Sequence, residues 1–225
     1  MQPTAIARAR VSLAARATAT IVAAALIAVS LTACGSGSAA ERPGNEQGYR
    51  GVVLPTPLAK PNFILTDTKG QPFDFRKETD GSLTLLFFGY TNCPDVCPVH
   101  LGNIHTVLSQ MPYDVSSRTK VVFVTTDPER DTPERLRSWL DNFDPSFIGL
   151  RGTVAEVNEI QAKLHLPPAV ASAPHGADSS YDVGHAAQVL AFSPSDNEAH
   201  VIYPFGIRQQ DWANDLPKLL SDKWK

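Results

Sequence analysis

An α/β fold with a mixed β-sheet, an N-terminal hairpin and flanking helices is the architecture this sequence predicts. Three observations carry it. From residue 61 onward, apolar runs of strand length alternate with stretches whose apolar residues recur at helical spacing. The last three elements read strand, strand, helix, so a hairpin joins a sheet otherwise built by crossovers. Two cysteines, Cys93 and Cys97, stand where an apolar strand gives way to a helix.

Taken in order, Phe63–Asp67 and Phe73–Phe75 flank Lys69-Gly70-Gln71-Pro72 and read as the N-terminal hairpin. Leu83 to Tyr90 is a continuous apolar run, the pattern of a strand covered on both faces. The cysteine loop follows. Pro98 then suits the first turn of a helix whose Leu101, Ile104, Val107 and Leu108 share one face. Lys120 to Thr126 is a second buried strand. Thr132 and Pro133 cap and start a helix through Leu136, Trp139, Leu140 and Phe143. Phe147–Leu150 is a short strand, and Thr153–Leu164 a helix with Val154, Val157, Ile160 and Leu164 on one side. A long loop occupies residues 165–184. Val189–Phe192 and Val201–Tyr203 pair across Ser193-Pro194-Ser195-Asp196-Asn197, and Gln209–Ser221 closes as a helix. Cysteines at a strand-to-helix turn and a strand-strand-helix ending together point to a thioredoxin-like fold.

Residues 1–33 are an address rather than part of that fold. Arg8, Arg10 and Arg16 form a basic leader, and Ala17 to Ala33 is free of charge. The stretch ends in Leu31-Thr32-Ala33-Cys34, followed by Gly35-Ser36-Gly37-Ser38. This is a small-residue cleavage site after an apolar segment, and the tetrad looks like a bacterial lipobox with Cys34 as the lipidated first mature residue. An uncleaved anchor is the alternative reading. Composition turns polar and flexible directly after Cys34, which favours the lipoprotein signal peptide. Either way the body is expected on the extracytoplasmic face of the cell membrane, where disulfides are permitted. Residues 34–60, rich in Gly, Ser and Pro, read as a flexible tether, and 61–225 as one domain.

The leader carries three of the 20 basic residues and none of the 23 acidic ones, which leaves a mature chain of net charge −6. Such a chain has no basic stripe for nucleic acid. Cys34 being spoken for, Cys93 and Cys97 are the two thiols available for chemistry. A disulfide closing so short a loop would contribute roughly 2 kcal/mol at most. The pair is therefore a poor staple. A redox disulfide and a two-thiolate metal clamp both remain open.

Gly89-Tyr90-Thr91-Asn92-Cys93-Pro94-Asp95-Val96-Cys97-Pro98 resembles the signature of the Sco/SenC family. Thr126-Asp127-Pro128-Glu129-Arg130-Asp131-Thr132-Pro133 resembles that family's second motif, and Val183-Gly184-His185 stands where the family places its histidine ligand. The similarity covers roughly residues 50–222. It implies a thioredoxin-like domain that binds copper, as Cu(I) or Cu(II), through Cys93, Cys97 and His185. It implies service to cytochrome c oxidase subunit II, with a copper donor chaperone and a thiol reductant as further partners. The family commonly has Asp directly before that histidine; this chain has Gly184, and the nearest acid is Asp182.

Residue chemistry agrees with the resemblance. Copper(I) is soft and favours thiolates, with imidazole a suitable third donor. An i,i+4 spacing puts both sulfurs on one face of a helical turn, and a helix N-terminus favours the thiolate form. A blue-copper site needs two histidines, one cysteine and usually a methionine, and Met111 is the one methionine beyond the leader. Structural zinc needs four ligands. Peroxiredoxin chemistry needs a threonine three residues before its cysteine, where this chain has Tyr90 or Pro94. A membrane-anchored thiol–disulfide reductase is the rival class, although redox motifs usually place two residues between the cysteines.

His100 follows Cys97 by three residues, and His175 lies in a flexible loop; both are alternative third ligands. His105, His165 and His200 read as surface or capping residues. Asp127, at the end of a buried strand, reads as a turn former or as a residue acting on the sulfurs from outside the ligand set. Asp95 reads as loop chemistry. Glu129-Arg130-Asp131 and Glu134-Arg135 read as a solvated charged face.

Overall fold

Every residue of the run Leu83–Gly89 is buried, and this strand lies at the centre of the sheet. The structure, a computed structural model, describes residues 44–176 and 180–224. Its strands are β1 (Val52–Ala59), β2 (Ile64–Asp67), β3 (Pro72–Asp74), β4 (Leu83–Gly89), β5 (Thr119–Thr125), β6 (Ile148–Arg151), β7 (Val170–Ala171), β8 (Val183–Gly184), β9 (Val189–Phe192) and β10 (Glu198–Tyr203). Its helices are α1 (Phe75–Glu78), α2 (Val96–Gln110), α3 (Tyr113–Ser116), α4 (Pro133–Asp141), α5 (Val154–Lys163) and α6 (Gln209–Ser221).

Eight strands form one mixed sheet in the order β1-β10-β9-β4-β5-β6-β2-β3. The pairs β4–β5 and β5–β6 are parallel, joined by helical crossovers, and every other pair is antiparallel. Strand β4 alternates its side chains between two cores. Leu83, Leu85 and Phe87 pack with Leu101 and Ile104 of α2, Leu136 of α4 and Trp212 and Leu216 of α6. Leu86 and Phe88 pack with Val122, Val124, Phe63, Phe75 and the Val157–Ile160 face of α5. Cover on both faces is why this strand reads as a continuous apolar run. Each such fully buried side chain contributes on the order of 1.5–3 kcal/mol. The cap expected at Thr132 is present, its Oγ1 accepting from the Arg135 amide at 3.2 Å, and the structure adds a capping box between Thr153 and Glu156.

Residues 52–59, expected to belong to the tether, are instead edge strand β1, paired antiparallel to β10. Pro55 and Pro57 supply no N–H, so this sequence suits an edge with an irregular register, which shifts between Val53 and Leu58. The chain is docked even earlier. Tyr49 is buried and stacks on Trp224, and the amides of Arg50 and Gly51 both donate to the buried carboxylate of Asp215 at 2.9 Å. The expected signal peptide and Cys34 lie outside the described residues. Among the described residues, no helix is long and apolar enough to cross a membrane.

Candidate metal centre

Strand β4 delivers the chain to the site at Gly89. The loop turns at once, with the Cys93 amide donating to the Tyr90 carbonyl at 3.1 Å. Helix α2 then begins at Val96, so Cys97 is its second residue. The N-cap residue Asp95 makes no side-chain capping bond. The sulfur of Cys93 takes that place, accepting from the backbone amides of Cys97 and Asp95. A helix N-terminus has unpaired amides and positive potential, and here a sulfur satisfies them. Cys97 is completely buried, whereas Cys93 keeps a thin exposed edge.

His185 arrives from the opposite side, directly after β8. Its ring nitrogen and the two sulfurs all lie within 4.8 Å of one another. Nε2 is 3.6 Å from the Cys97 sulfur. Nδ1 is 2.9 Å from the carbonyl oxygen of Ala186, which can only accept, so Nδ1 carries the proton and Nε2 the free lone pair. The ring is held edge-on by Tyr90 and Phe87. Both cysteines are free thiols.

The two thiols are electrostatically unequal. A hydrogen bond from Cys97 is the largest influence on Cys93; burial opposes it, and the backbone amides of Cys97 and Asp95 reinforce it. The Cys93 pKa falls to about 3, so this sulfur is a thiolate at neutral pH. Burial, and then the neighbouring Cys93, push Cys97 the other way. The pair thus presents one thiolate and one thiol, which a soft cation entering the cluster would displace of its proton.

The other sequence candidates are placed elsewhere. His100 is buried and its Nε2 donates to the Ala187 carbonyl at 3.0 Å; burial lowers its pKa, and it braces the segment after His185. His175 is exposed, with Nε2 3.2 Å from Asp182. Asp127 is buried and is engaged away from the ligand set: it accepts from the Tyr181 hydroxyl at 2.9 Å and from Arg130.

The charged run after Asp127 is only in part the solvated face expected from its composition: Glu129, Glu134 and Arg135 are exposed, but Asp131 is not. Asp131 is fully buried, and its carboxylate accepts from the Thr91 amide at 3.0 Å and from the hydroxyls of Thr91 and Thr125, both at 2.6 Å. Arg135 adds bonds to Thr91 and Asn92. These residues fix the loop that carries Cys93. The signal available in the sequence was the presence of Thr91 and Thr125 beside buried segments, two hydroxyls that need an acceptor.

Comparison with known proteins settles the family. A family model described as SCO1/SenC matches residues 54–221. This chain belongs to the SCO1/SenC family. A SCO2-like protein of Rickettsia prowazekii is 40% identical over 105 residues, which span 45% of this chain and 49% of that protein. The solution structure of apo Sco1 from Thermus thermophilus is 30% identical, with a TM-score of 0.67 over 76% of this chain and 97% of that one. Bradyrhizobium japonicum ScoI, solved with copper bound, is 32% identical, with a TM-score of 0.62 over 72% of this chain and 99% of the other. The fold is thioredoxin-like, as those SCO1/SenC structures are.

Proposed function

We propose that this SCO1/SenC chain is a copper metallochaperone that holds the metal through Cys93, Cys97 and His185. It passes copper to, or helps mature, the binuclear copper site of cytochrome c oxidase subunit II. One observation carries the reading: two sulfurs and one imidazole lone pair converge within 4.8 Å. Two thiolates and a neutral imidazole are a soft donor set that suits copper(I), and harder ions that prefer oxygen are disfavoured. Three protein donors leave an edge open beside the partly exposed Cys93. A partner's cysteines could take the metal there by ligand exchange. A copper donor chaperone and a thiol reductant are the further partners this role needs. Lipidation of Cys34 after removal of residues 1–33 would hold the domain at the extracytoplasmic membrane face. A mass spectrum of the native protein that retained residues 1–33 would remove that part of the proposal.

The experiment is copper stoichiometry and the ultraviolet-visible spectrum of the reduced chain, before and after oxidation of Cys93 and Cys97 to a disulfide. Reduced protein should bind copper and show thiolate-to-copper(II) charge-transfer bands; oxidised protein should do neither, since thiolates are the ligands. Equal binding by both forms would show that these cysteines are not the site.

A second reading, membrane-anchored thiol–disulfide reductase, is favoured by the Cys93 thiolate at an exposed edge. Its sulfur would attack a partner disulfide, forming a mixed disulfide and releasing one partner thiolate. Cys97 would then attack Cys93, releasing the second partner thiolate and leaving Cys93–Cys97 oxidised for a thiol reductant to reopen. A reduced chain that binds no copper yet reduces partner disulfides would establish this reading instead.

A further inference from the structure

We infer that Arg130, Asp127 and Tyr181 form a clamp that positions His185 as third ligand, an inference that rests on the copper reading above. The segment that brings His185 to the sulfurs has little regular structure among its described residues: the two-residue pairing of β7 with β8 and an isolated bridge between His175 and Ser180. Within it Asp182 and Gly184 are exposed, and Val183 is buried. Tyr181, four residues before His185, is where the segment is tied to the body.

Three contacts make that tie. The Arg130 guanidinium lies 3.6 Å from the centre of the Tyr181 ring. Its Nη1 donates to the Tyr181 carbonyl at 2.8 Å. The Tyr181 hydroxyl donates to Asp127 Oδ1 at 2.9 Å, and Asp127 Oδ2 accepts from Arg130 Nε, which closes the ring of bonds. Asp127 is itself anchored to the end of β5, where its amide donates to Thr125 Oγ1 at 3.0 Å. The same guanidinium stands 5.7 Å from the centre of the Tyr90 ring, which meets His185 edge-on at 5.6 Å. Arg130 therefore fixes both the backbone leading to His185 and the aromatic wall against which its ring rests.

With Asp127 buried and Arg130 partly so, these charge-assisted bonds are stronger than fully exposed ion pairs. A planar fork is required, because one cation must stack on a ring and donate in two directions at once; lysine has no such geometry. Without the clamp, His185 must be ordered at the moment of ligation, and that ordering entropy opposes it. The two sulfurs, held by α2 and by Asp131, are untouched. Arg130 is a positioning residue, and its loss should mimic loss of the histidine rather than loss of the thiolates.

The test compares Arg130→Met, Arg130→Lys and Tyr181→Phe with wild type and His185→Ala in the full chain. In the metal-free protein, amide exchange over residues 180–186 should quicken about tenfold in Arg130→Met while the amides of β4 and β5 stay unchanged. With copper added, copper(I) stoichiometry should stay at the wild-type value. The copper(II) absorption and electron paramagnetic resonance spectra should move toward those of His185→Ala, and Arg130→Lys should not restore them. Tyr181→Phe, which keeps the ring and deletes one bond, should fall between, and it carries the test if Arg130→Met does not fold. Wild-type exchange and wild-type copper(II) spectra in Arg130→Met, or in Tyr181→Phe where that variant carries the test, would overturn the clamp. If wild type itself bound no copper, the proposed function would fall, and the metal-free exchange would still decide whether the clamp orders His185.

Discussion

A Cβ added to Gly89 would lie 2.4 Å from the sulfur of Cys97. It would also stand 2.9 Å from the Phe123 ring, so the strand that feeds the site leaves room for the buried thiol only because residue 89 has no side chain. Gly89→Ala should displace Cys97 or the start of α2. Overpacking of this kind costs about 1–3 kcal/mol. Urea unfolding should show that loss, and copper retention should fall with it. Unchanged stability and unchanged copper retention would mean that the helix moves aside freely.

His185 and His100 should separate cleanly. His185→Ala removes a donor from an exposed-edge cluster; it should keep copper(I) stoichiometry and alter the copper(II) spectrum. His100→Ala removes a buried ring that meets Phe87 at 5.1 Å and leaves the Ala187 carbonyl unpaired. It should cost about 1–3 kcal/mol in urea unfolding and leave the spectrum close to wild type. A spectrum changed more by His100→Ala than by His185→Ala would reassign the third ligand.

Asp131→Ala should be among the most destabilising single changes near the site. It leaves the Thr91 amide and two hydroxyls without their acceptor in a region closed to water. About 3 kcal/mol or more is the expected loss, at roughly 1–3 kcal/mol for each unpaired group and with partial rescue by relaxation. Urea denaturation measures it. The Cys93 loop should loosen first, seen as faster alkylation of Cys97 before global unfolding. A loss under the scale of a surface substitution would mean that Asp131 is not what holds the loop.

These residues mark where sequence reading succeeds and where it stops. Strand β4 was legible because cover on both faces leaves an unbroken apolar run, and α4 because Thr132 and Pro133 announce its start. Cys93 and Cys97 were legible as a pair because their spacing and their place after β4 are local facts. The role of Asp131 was not: its donors, Thr91 and Thr125, stand 40 and 6 residues away, and a buried carboxylate has the same letter as an exposed one. Strand β1 was hidden by Pro55 and Pro57, which break the alternating pattern yet are harmless at an edge. His185 carried no signal of its own; resemblance pointed to it, and the convergence with two sulfurs is a tertiary fact.

Lys60 provides a pH test of the fold away from the thiols. Its side chain is buried, and Nζ donates to the Thr79 carbonyl at 3.1 Å and to Thr84 Oγ1 at 3.2 Å. Burial lowers its pKa from 10.5 to about 8. Below pH 8 the ammonium is charged in both folded and unfolded chains, so the cost of burying the charge is fully present. Between about 8 and 10.5 the folded chain has released the proton while the unfolded chain still binds it. Stability rises with pH wherever the unfolded state holds more protons. At 1.36 kcal/mol per pKa unit, the gain is at most about 3 kcal/mol across that window. Lys60→Met has no such group. Its stability relative to wild type, measured by urea unfolding of the reduced chains, should therefore be highest near pH 7 and decline steadily toward pH 10.5; the thiols titrate in both proteins and cancel in the difference. Parallel stability curves for the two proteins would show that Lys60 keeps its proton in the folded chain and that its two acceptors, rather than its neutral form, make burial tolerable.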